Sequence, residues 1–139
     1  MYEIIQPIHK YWAYVAFILL VLATFNSIMG LTSKREFKDG DRKLGLFGLI
    51  GVHTQLLIGL ITWAVSPLGM ASMSQMGDSA LRLTAVEHPL MGVIAAVLVT
   101  VGFSKHKKVE GNAKFKPLAI FYTIALVLVL SRIPWALWF

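Results

Sequence analysis

The chain has 139 residues, of which 57% are hydrophobic and 14% are charged, and its mean hydropathy is +0.70. This composition is too apolar for a soluble domain of this size and indicates a membrane protein. The absence of cysteine excludes disulfides, thiolate metal sites, iron–sulfur clusters and covalently attached haem. The net charge of +6 does not indicate nucleic-acid binding, because the basic residues lie beside apolar segments, where membrane insertion accounts for them.

Four apolar segments are long enough to cross a bilayer, which takes about 20 residues. In chain order they predict transmembrane helices at about 11–31, 44–65, 84–104 and 117–138. Residues 1–139 are therefore expected to form a single transmembrane domain, an all-α integral membrane four-helix bundle.

The charges predict the orientation of this bundle. Ten of the thirteen basic residues fall in the loops that join helix 1 to helix 2 and helix 3 to helix 4: Lys34, Arg35, Lys38, Arg42, Lys43, Lys105, Lys107, Lys108, Lys114 and Lys116. The positive-inside rule makes both of these short loops cytoplasmic and both termini external, as a multi-pass protein of a bacterial inner membrane. Aromatic residues near the outer helix ends suit an interfacial belt: Tyr11, Trp12, Tyr14, Trp63, Trp135, Trp138 and Phe139.

Ionisable side chains inside apolar spans are costly, so each one is a functional hypothesis. His9 begins helix 1, and His53 lies in helix 2 near the bilayer midplane, as judged from a helical rise of about 1.5 Å per residue. His106 differs, because the sequence "SKHKK" around it reads as a solvated basic loop. Gly51 on helix 2 offers close approach to a flat ring or to another helix.

The segment "RLTAVEHPLMG", residues 82–92, brings charge to the outer end of helix 3. His88 is the strongest candidate there for a metal ligand. Arg82, from the outer loop, is expected to contact a carboxylate of the ligand. Glu87 is expected to pair with Arg132 or to orient a nearby imidazole. Gly92, one turn after His88, lets a flat ring or another helix approach closely.

Two local signals define the start of helix 3. Asp78 and Ser79 are expected to cap a helix that begins near Ala80. Pro89 disfavours helical geometry at His88 and frees the carbonyl near Ala85, so helix 3 is predicted to begin or to kink there.

The depths of the histidines favour a haem site in the outer half of the bundle. His9 and His88 fall at comparable depth, as two axial imidazoles require, and His53 with His88 is the alternative pairing. Arg132, in the last third of helix 4, reaches the same half, where a haem propionate or Glu87 is its expected partner. The candidate metal ligands are thus His88, His9 and His53, and the candidate cofactor contacts are Arg132, Arg82, Glu87, Gly92 and Gly51.

Four segments carry a resemblance over nearly the whole chain: "HKYWAY", "HTQLLIGLITWAVSPLG", "RLTAVEHPLMGVIAAVLVTVGFSKHKK" and "FYTIALVLVLSRIPW". In them the chain resembles a family of small four-helix membrane proteins of Bacteroidota that are described as cytochrome b-like. The resemblance implies that His9, His53, His88 and Arg132 belong to the family's recognisable segments. It does not imply which histidines pair.

These observations predict a b-type haem-binding membrane protein with one haem b, or two. It would be an electron-transfer or accessory subunit of a respiratory complex or of the quinone pool rather than a stand-alone enzyme. The expected partners are membrane lipid, a larger membrane complex or further copies of the chain, and quinone, with His53 as a hydrogen-bond donor. The alternatives are a non-redox structural subunit and a small proton-conducting element.

Overall fold

The computed structural model describes the backbone of residues 1–138 and the side chains of residues 1–137. All regular structure in this part of the chain is helical, with the elements α1 (Tyr2–Thr32), α2 (Asp39–Val65), α3 (Ser79–His106), α4 (Phe115–Ser131) and α5 (Trp135–Trp138). Short 3₁₀ turns occupy Met70–Ser72 and Gly111–Lys114. The expected interfacial positions of the Trp138 side chain and of Phe139 lie outside the described residues.

The prediction of an all-α chain with four membrane-length helices is confirmed. The helical stretches Tyr2–Thr32, Asp39–Val65, Ser79–His106 and Gly111–Ser131 are each long and apolar enough to cross a membrane. Large apolar side chains cover their outer surfaces, as in Ile18, Phe25, Phe47, Leu57, Val97 and Val127. An apolar exterior of this kind is consistent with a multi-pass membrane protein.

The core is built from small residues, which let the helices approach closely. A Cβ atom on Gly48 would lie 3.3 Å from the Cβ atom of Ala23, and one on Gly51 would lie 3.3 Å from the Cα atom of Ala16. Helices α1 and α2 therefore meet almost backbone to backbone.

Among the described residues, the largest fully buried side chain is that of Tyr122, whose hydroxyl donates to the carbonyl of Gly45 at 2.6 Å.

The four long helices form a closed ring in which α1 packs on α2, α2 on α3, α3 on α4, and α4 on α1. The two basic loops meet at one end of this ring, which we call the basic end. Asn112 joins them by donating to the carbonyls of Gly30 and Arg35 at 3.0 and 2.6 Å. The first residues of α1, the loop 66–78 and residues 132–138 form the opposite end, which we call the far end.

The helices extend beyond the apolar runs at several ends, but helix 4 is shorter than predicted. It ends at Ser131, and Arg132 follows with φ −130° and ψ 19° instead of lying inside the last third of the helix. Pro134 accounts for this, because proline disfavours helical geometry in the residue before it and has no N–H to continue the helix. The carbonyl of Arg132 is consequently left outside the helical hydrogen-bond pattern.

Helix α3 changes its hydrogen-bond pattern at His88, where the sequence predicted that the helix begins or kinks. It starts at Ser79, and the side chain of Asp78 accepts from the backbone N–H groups of Ala80 and Leu81, which confirms the expected cap. A π-helical turn over Leu83–Glu87, in which the N–H of His88 donates to the carbonyl of Leu83, precedes His88, and the regular α-helix begins at His88 with Pro89 in its first turn. The predicted disturbance at His88 is therefore confirmed, although His88 itself keeps helical φ and ψ angles of −66° and −49°.

The freed carbonyl near Pro89 has a partner. Pro89 cannot donate to Ala85, and the indole Nε1 of Trp63 on α2 donates to the Ala85 carbonyl at 2.8 Å. This bond ties the far ends of α2 and α3 together beside His88.

His106 is buried, at 2% exposure, rather than lying in a solvated loop. Helix α3 extends as far as His106, and the rings of Phe37 and Phe103 pack on its imidazole. The Nδ1 atom of His106 contacts the carbonyl of Phe103. The ammonium group of Lys114 donates to the backbone carbonyl of His106 at 3.0 Å. The basic residues on either side of it misled the sequence interpretation, because a helical turn points neighbouring residues in different directions.

A polar cluster around Asp41 holds the basic end together. The Asp41 carboxylate accepts from the Asn26 amide at 2.9 Å, from the Arg35 guanidinium at 3.0 Å and from the Lys38 backbone N–H at 2.9 Å. The Asp41 side chain is only 7% exposed, so these bonds replace its lost hydration. The cluster connects α1, the first basic loop and α2.

Replacing Asp41 by asparagine is expected to lower the free energy of unfolding by about 1–3 kcal/mol, because buried donors then lose their charged acceptor. Unfolding by sodium dodecyl sulfate, followed by circular dichroism, measures the change. The control is Asp39→Asn, which removes exposed ion pairs with Arg42 and Lys43 and should cost less than about 1 kcal/mol. Equal effects of the two substitutions would contradict the role given to the Asp41 cluster.

Candidate functional site

A cavity of about 250 Å³ lies at the far end, between the helices. Helices α1, α2 and α3 and the segment after α4 all contribute to its wall, which consists mostly of apolar side chains. The polar side chains on the wall include those of His9, Lys10, Gln55, Thr84 and His88. A few polar groups in an apolar hollow between helices are typical of a small-molecule or cofactor site.

The cavity brings the imidazoles of His9 and His88 together. Their ring centroids lie 6.2 Å apart, and the ring planes make an angle of 68°. His9 comes from α1 and His88 from α3, helices that are not neighbours in the ring, so the two side chains meet across the interior of the bundle. Their similar depth, which the sequence indicated, is necessary for this contact.

The end of α4 fixes the tautomer of His88. The Nδ1 atom of His88 lies 3.1 Å from the carbonyl oxygen of Arg132, which can only accept, so Nδ1 carries the proton and donates. The Nε2 atom of His88 then has a free lone pair, as a metal ligand requires. Pro134 is the ultimate cause, because it ends α4 and leaves the Arg132 carbonyl available.

Helix α2 supports His9 through Gly59 and Gln55. A Cβ atom at Gly59 would lie 3.0 Å from Cε1 of His9, so glycine is what makes room for the ring. The Gln55 amide donates to the backbone carbonyl of His9 at 2.9 Å. Within residues 1–137, Nδ1 of His9 and Oε1 of Gln55 are buried side-chain atoms without a hydrogen-bond partner. Buried polar atoms are usually satisfied, so these two point to a missing ligand or water.

The three charged residues expected near His88 form a cluster in which Glu87 binds both arginines. Glu87 pairs with Arg82, with 3.0 Å between Oε2 and Nε, and with Arg132, with 3.6 Å between Oε1 and Nε. All three side chains remain about one-third to one-half exposed, and none of them lines the cavity. Of the two partners considered for Arg132, the structure places Glu87 beside it.

Lys10 is a cation that the sequence interpretation missed. It lines the cavity next to His9 and is half-buried, and the ion pairs in the described part of the chain do not involve it. A lysine near a helix end usually reads as an interfacial residue, so its position in the chain gave no signal of its own.

The two candidate glycines occupy different places. Gly92 lines the cavity, and a Cβ atom there would meet only Leu56, at 3.6 Å. Gly51 does not line it. Its Cα packs on α1, and its carbonyl accepts from the Trp12 indole at 3.1 Å, so it serves helix packing rather than a flat ring.

His53 is separate from the pair. It lies on the outer surface of the bundle, where its Nε2 atom is 2.7 Å from the hydroxyl oxygen of Thr100 on α3, and it does not line the cavity. His53 and Gln55 are two residues apart on α2, so they point to nearly opposite sides of the helix. Because Gln55 faces the cavity, His53 faces away from it.

In the part of the chain that the structure describes, no three or more His, Asp or Glu side chains form a group able to hold a metal ion. A haem needs only two protein ligands, because its macrocycle supplies the other four. Comparisons with protein families, with curated proteins and with solved structures gave no match to this chain. The function is therefore inferred from the geometry of the site.

Proposed function

We propose that this protein is a b-type haem-binding membrane protein in which His9 and His88 are the axial ligands. The observation that carries the proposal is the contact of the two imidazoles across an apolar cavity, with 6.2 Å between ring centroids. Imidazoles that meet in one hollow from two different helices would both be able to bind the iron of a haem, and the apolar wall would keep water from it.

The surroundings of the pair also suit the group. His88 donates from Nδ1 and so offers Nε2, and the unpartnered Nδ1 of His9 leaves its imidazole free to take either role. Lys10 is the cation best placed for a propionate, because it lines the cavity while Arg82 and Arg132 are held by Glu87. Gly92 leaves room on the wall.

A bound haem would supply one-electron redox chemistry, and the protein would set its potential through the axial imidazoles, the low dielectric and Lys10. We infer that the protein carries electrons as an accessory subunit of a respiratory complex or in contact with quinone. The excess of Lys and Arg at the basic end supports an orientation with both short loops in the cytoplasm and both termini outside. The histidine pair would then lie in the outer half of a bacterial cytoplasmic membrane.

One measurement tests the proposal. The protein is expressed in haem-replete bacteria, purified in detergent, and examined by reduced-minus-oxidised absorbance and by haem extraction. We expect a b-type band and about one haem per chain. A colourless, folded protein would refute the proposal and favour the structural-subunit alternative, which the helix-bridging contact between His53 and Thr100 also suits.

Gly59→Val tests the position of His9 without removing a ligand. The new Cβ would lie 3.0 Å from the His9 ring, and the two added methyl groups would displace it. Overpacking costs about 1–3 kcal/mol, so we expect haem affinity to fall roughly tenfold or more. Haem titration of the apoprotein measures this affinity. Gly40→Val, at an open position on α2, is the control and should bind haem like the wild type.

A further inference from the structure

A groove of about 300 Å³ lies on the outer surface of the bundle between α2 and α3. The residues that line it are His53, Leu56, Val93, Ala96, Val97, Thr100 and Val101. His53 and Thr100 contact each other, and the surface that the groove presents is entirely apolar. The groove extends along α3 from Val93 to Val101, which is about 12 Å at the helical rise of about 1.5 Å per residue. A flexible apolar chain therefore fits this surface.

Two cations lie where the groove approaches the basic end. Lys105 follows Val101 by about one turn of α3, and its side chain is exposed. Arg42 precedes His53 by about three turns of α2, so it lies on the same face of that helix as His53. Each wall of the groove thus leads to a positively charged side chain.

A contact between the two helices places these cations at a similar level. A Cβ atom on Gly45 of α2 would lie 3.7 Å from Cδ2 of Phe103 on α3. Toward the basic end, Arg42 is about one turn beyond Gly45 and Lys105 is about half a turn beyond Phe103. Arg42 and Lys105 therefore flank the same end of the groove.

Carboxylates do not neutralise this end of the bundle. Arg42 shares the single carboxylate of Asp39 with Lys43, at 3.0 and 3.2 Å, and its bond to Asp39 uses only Nε. The ion pairs in the described part of the chain do not involve Lys105. Ten Lys and Arg residues meet four Asp and Glu residues at the basic end, so the whole net charge of +6 lies there.

We propose that the groove binds an acyl chain of an anionic phospholipid whose phosphate lies between Arg42 and Lys105. The acyl chain covers the apolar wall, and the phosphate accepts from the free guanidinium nitrogens of Arg42 and from Nζ of Lys105. A zwitterionic phospholipid has the same phosphate, but its own ammonium group is repelled by the excess positive charge. The site therefore selects lipids by the net charge of the head group. The proposal does not depend on haem binding.

Two other occupants fit less well. A quinone ring needs polar partners for its oxygens, and the surface of the groove offers none. A second copy of the chain, related by a two-fold axis parallel to the helices, would set Arg42 and Lys105 against the same cations of its partner. Like charges at such an interface repel each other.

Native mass spectrometry of the detergent-solubilised protein tests the proposal. The protein is titrated with phosphatidylglycerol or phosphatidylcholine that carry identical acyl chains, and the affinity of the first bound lipid is measured. We expect phosphatidylglycerol to bind more than tenfold more tightly, because each nearby cation contributes about fivefold. Glycerol 3-phosphate, which has the phosphate without acyl chains, should not displace the bound lipid.

Charge variants locate the head group. Arg42→Gln and Lys105→Gln should each lower the affinity for phosphatidylglycerol about fivefold and leave that for phosphatidylcholine nearly unchanged. The matched control is Lys34→Gln, which removes one charge from the same end of the bundle beyond the end of α1. Equal binding of the two lipids to the wild type would overturn the proposal. So would an equally large loss in Lys34→Gln, because the attraction would then belong to the whole basic end.

Val97→Trp tests the place of the acyl chain. Val97 is 56% exposed, so the larger side chain fills the groove without entering the core and without changing a charge. We expect the affinity for both lipids to fall at least fourfold, as the removal of one methylene from the groove would give. Val127→Trp on α4, at 58% exposure, is the control. Unchanged binding in Val97→Trp, or displacement of the lipid by glycerol 3-phosphate, would refute the groove as the acyl-chain site.

Discussion

Haem binding is expected to be lost when either His88 or His9 is replaced by alanine, and to be retained when His53 is replaced by alanine. Each of the first two substitutions removes one of two iron ligands, and no further histidine lines the cavity. We expect a nearly complete loss of the b-type band from protein purified under identical conditions. His53→Ala is the matched control, because it removes an imidazole from the same bundle outside the cavity.

Rescue separates the loss of a ligand from the loss of the fold. His88→Gly and His9→Gly leave space for an imidazole molecule, so imidazole added to the apoprotein with haem should restore a low-spin spectrum in both variants. The wild type and His53→Gly should be unaffected. Loss of haem in His53→Ala together with full retention in His9→Ala would show that His88 pairs with His53, and it would refute the pairing proposed above.

Gly102→Leu is expected to destabilise the bundle more than Asp41→Asn or Gly59→Val. A Cβ atom at Gly102 would lie 2.7 Å from Cβ of Phe121 and 3.2 Å from the carbonyl oxygen of Pro117. Both atoms are fixed to the backbone of α4 or belong to it, so no rotamer change relieves the clash and α3 must move away from α4. We expect a loss of about 3 kcal/mol or more in the free energy of unfolding.

Unfolding in sodium dodecyl sulfate, monitored by circular dichroism and tryptophan fluorescence, measures this loss. Gly40→Leu on α2 is the control, because a Cβ atom there would meet nothing within 4 Å, and its midpoint should stay close to that of the wild type. Equal midpoints for Gly102→Leu and the wild type would mean that α3 and α4 do not pack as closely as described.

Much of the fold followed from the sequence because the membrane restricts the choices. Apolar runs of sufficient length must form helices, since backbone polar groups have no other partner in hydrocarbon. The basic loops indicated which helix ends lie together, and Asn112 does join those loops. Asp78 signalled the start of α3, and Pro89 signalled the free carbonyl of Ala85.

Local reasoning failed where a neighbour in space decides the outcome. His106 was assigned to solvent because lysines flank it, but the aromatic rings of Phe37 and Phe103 bury it. Helix 4 was extended to the chain end because its residues are apolar, although Pro134 stops it at Ser131. For Arg132 and Gly51 the sequence left two partners open, and the structure shows the Glu87 ion pair for Arg132 and the helix contact for Gly51.

The sequence by itself determined the number and order of the membrane-length helices, the end of the bundle to which each loop belongs and the similar level of His9 and His88 along it, because rise per residue and hydrophobic length are properties of the chain. Depth favoured His9 over His53 as the residue that faces His88, but it left both pairings open. Only the tertiary structure separated them, by turning His9 inward over Gly59 and His53 outward onto Thr100. The rotation of each helix about its axis depends on how the small residues of adjacent helices pack, and no single segment of the sequence contains that information.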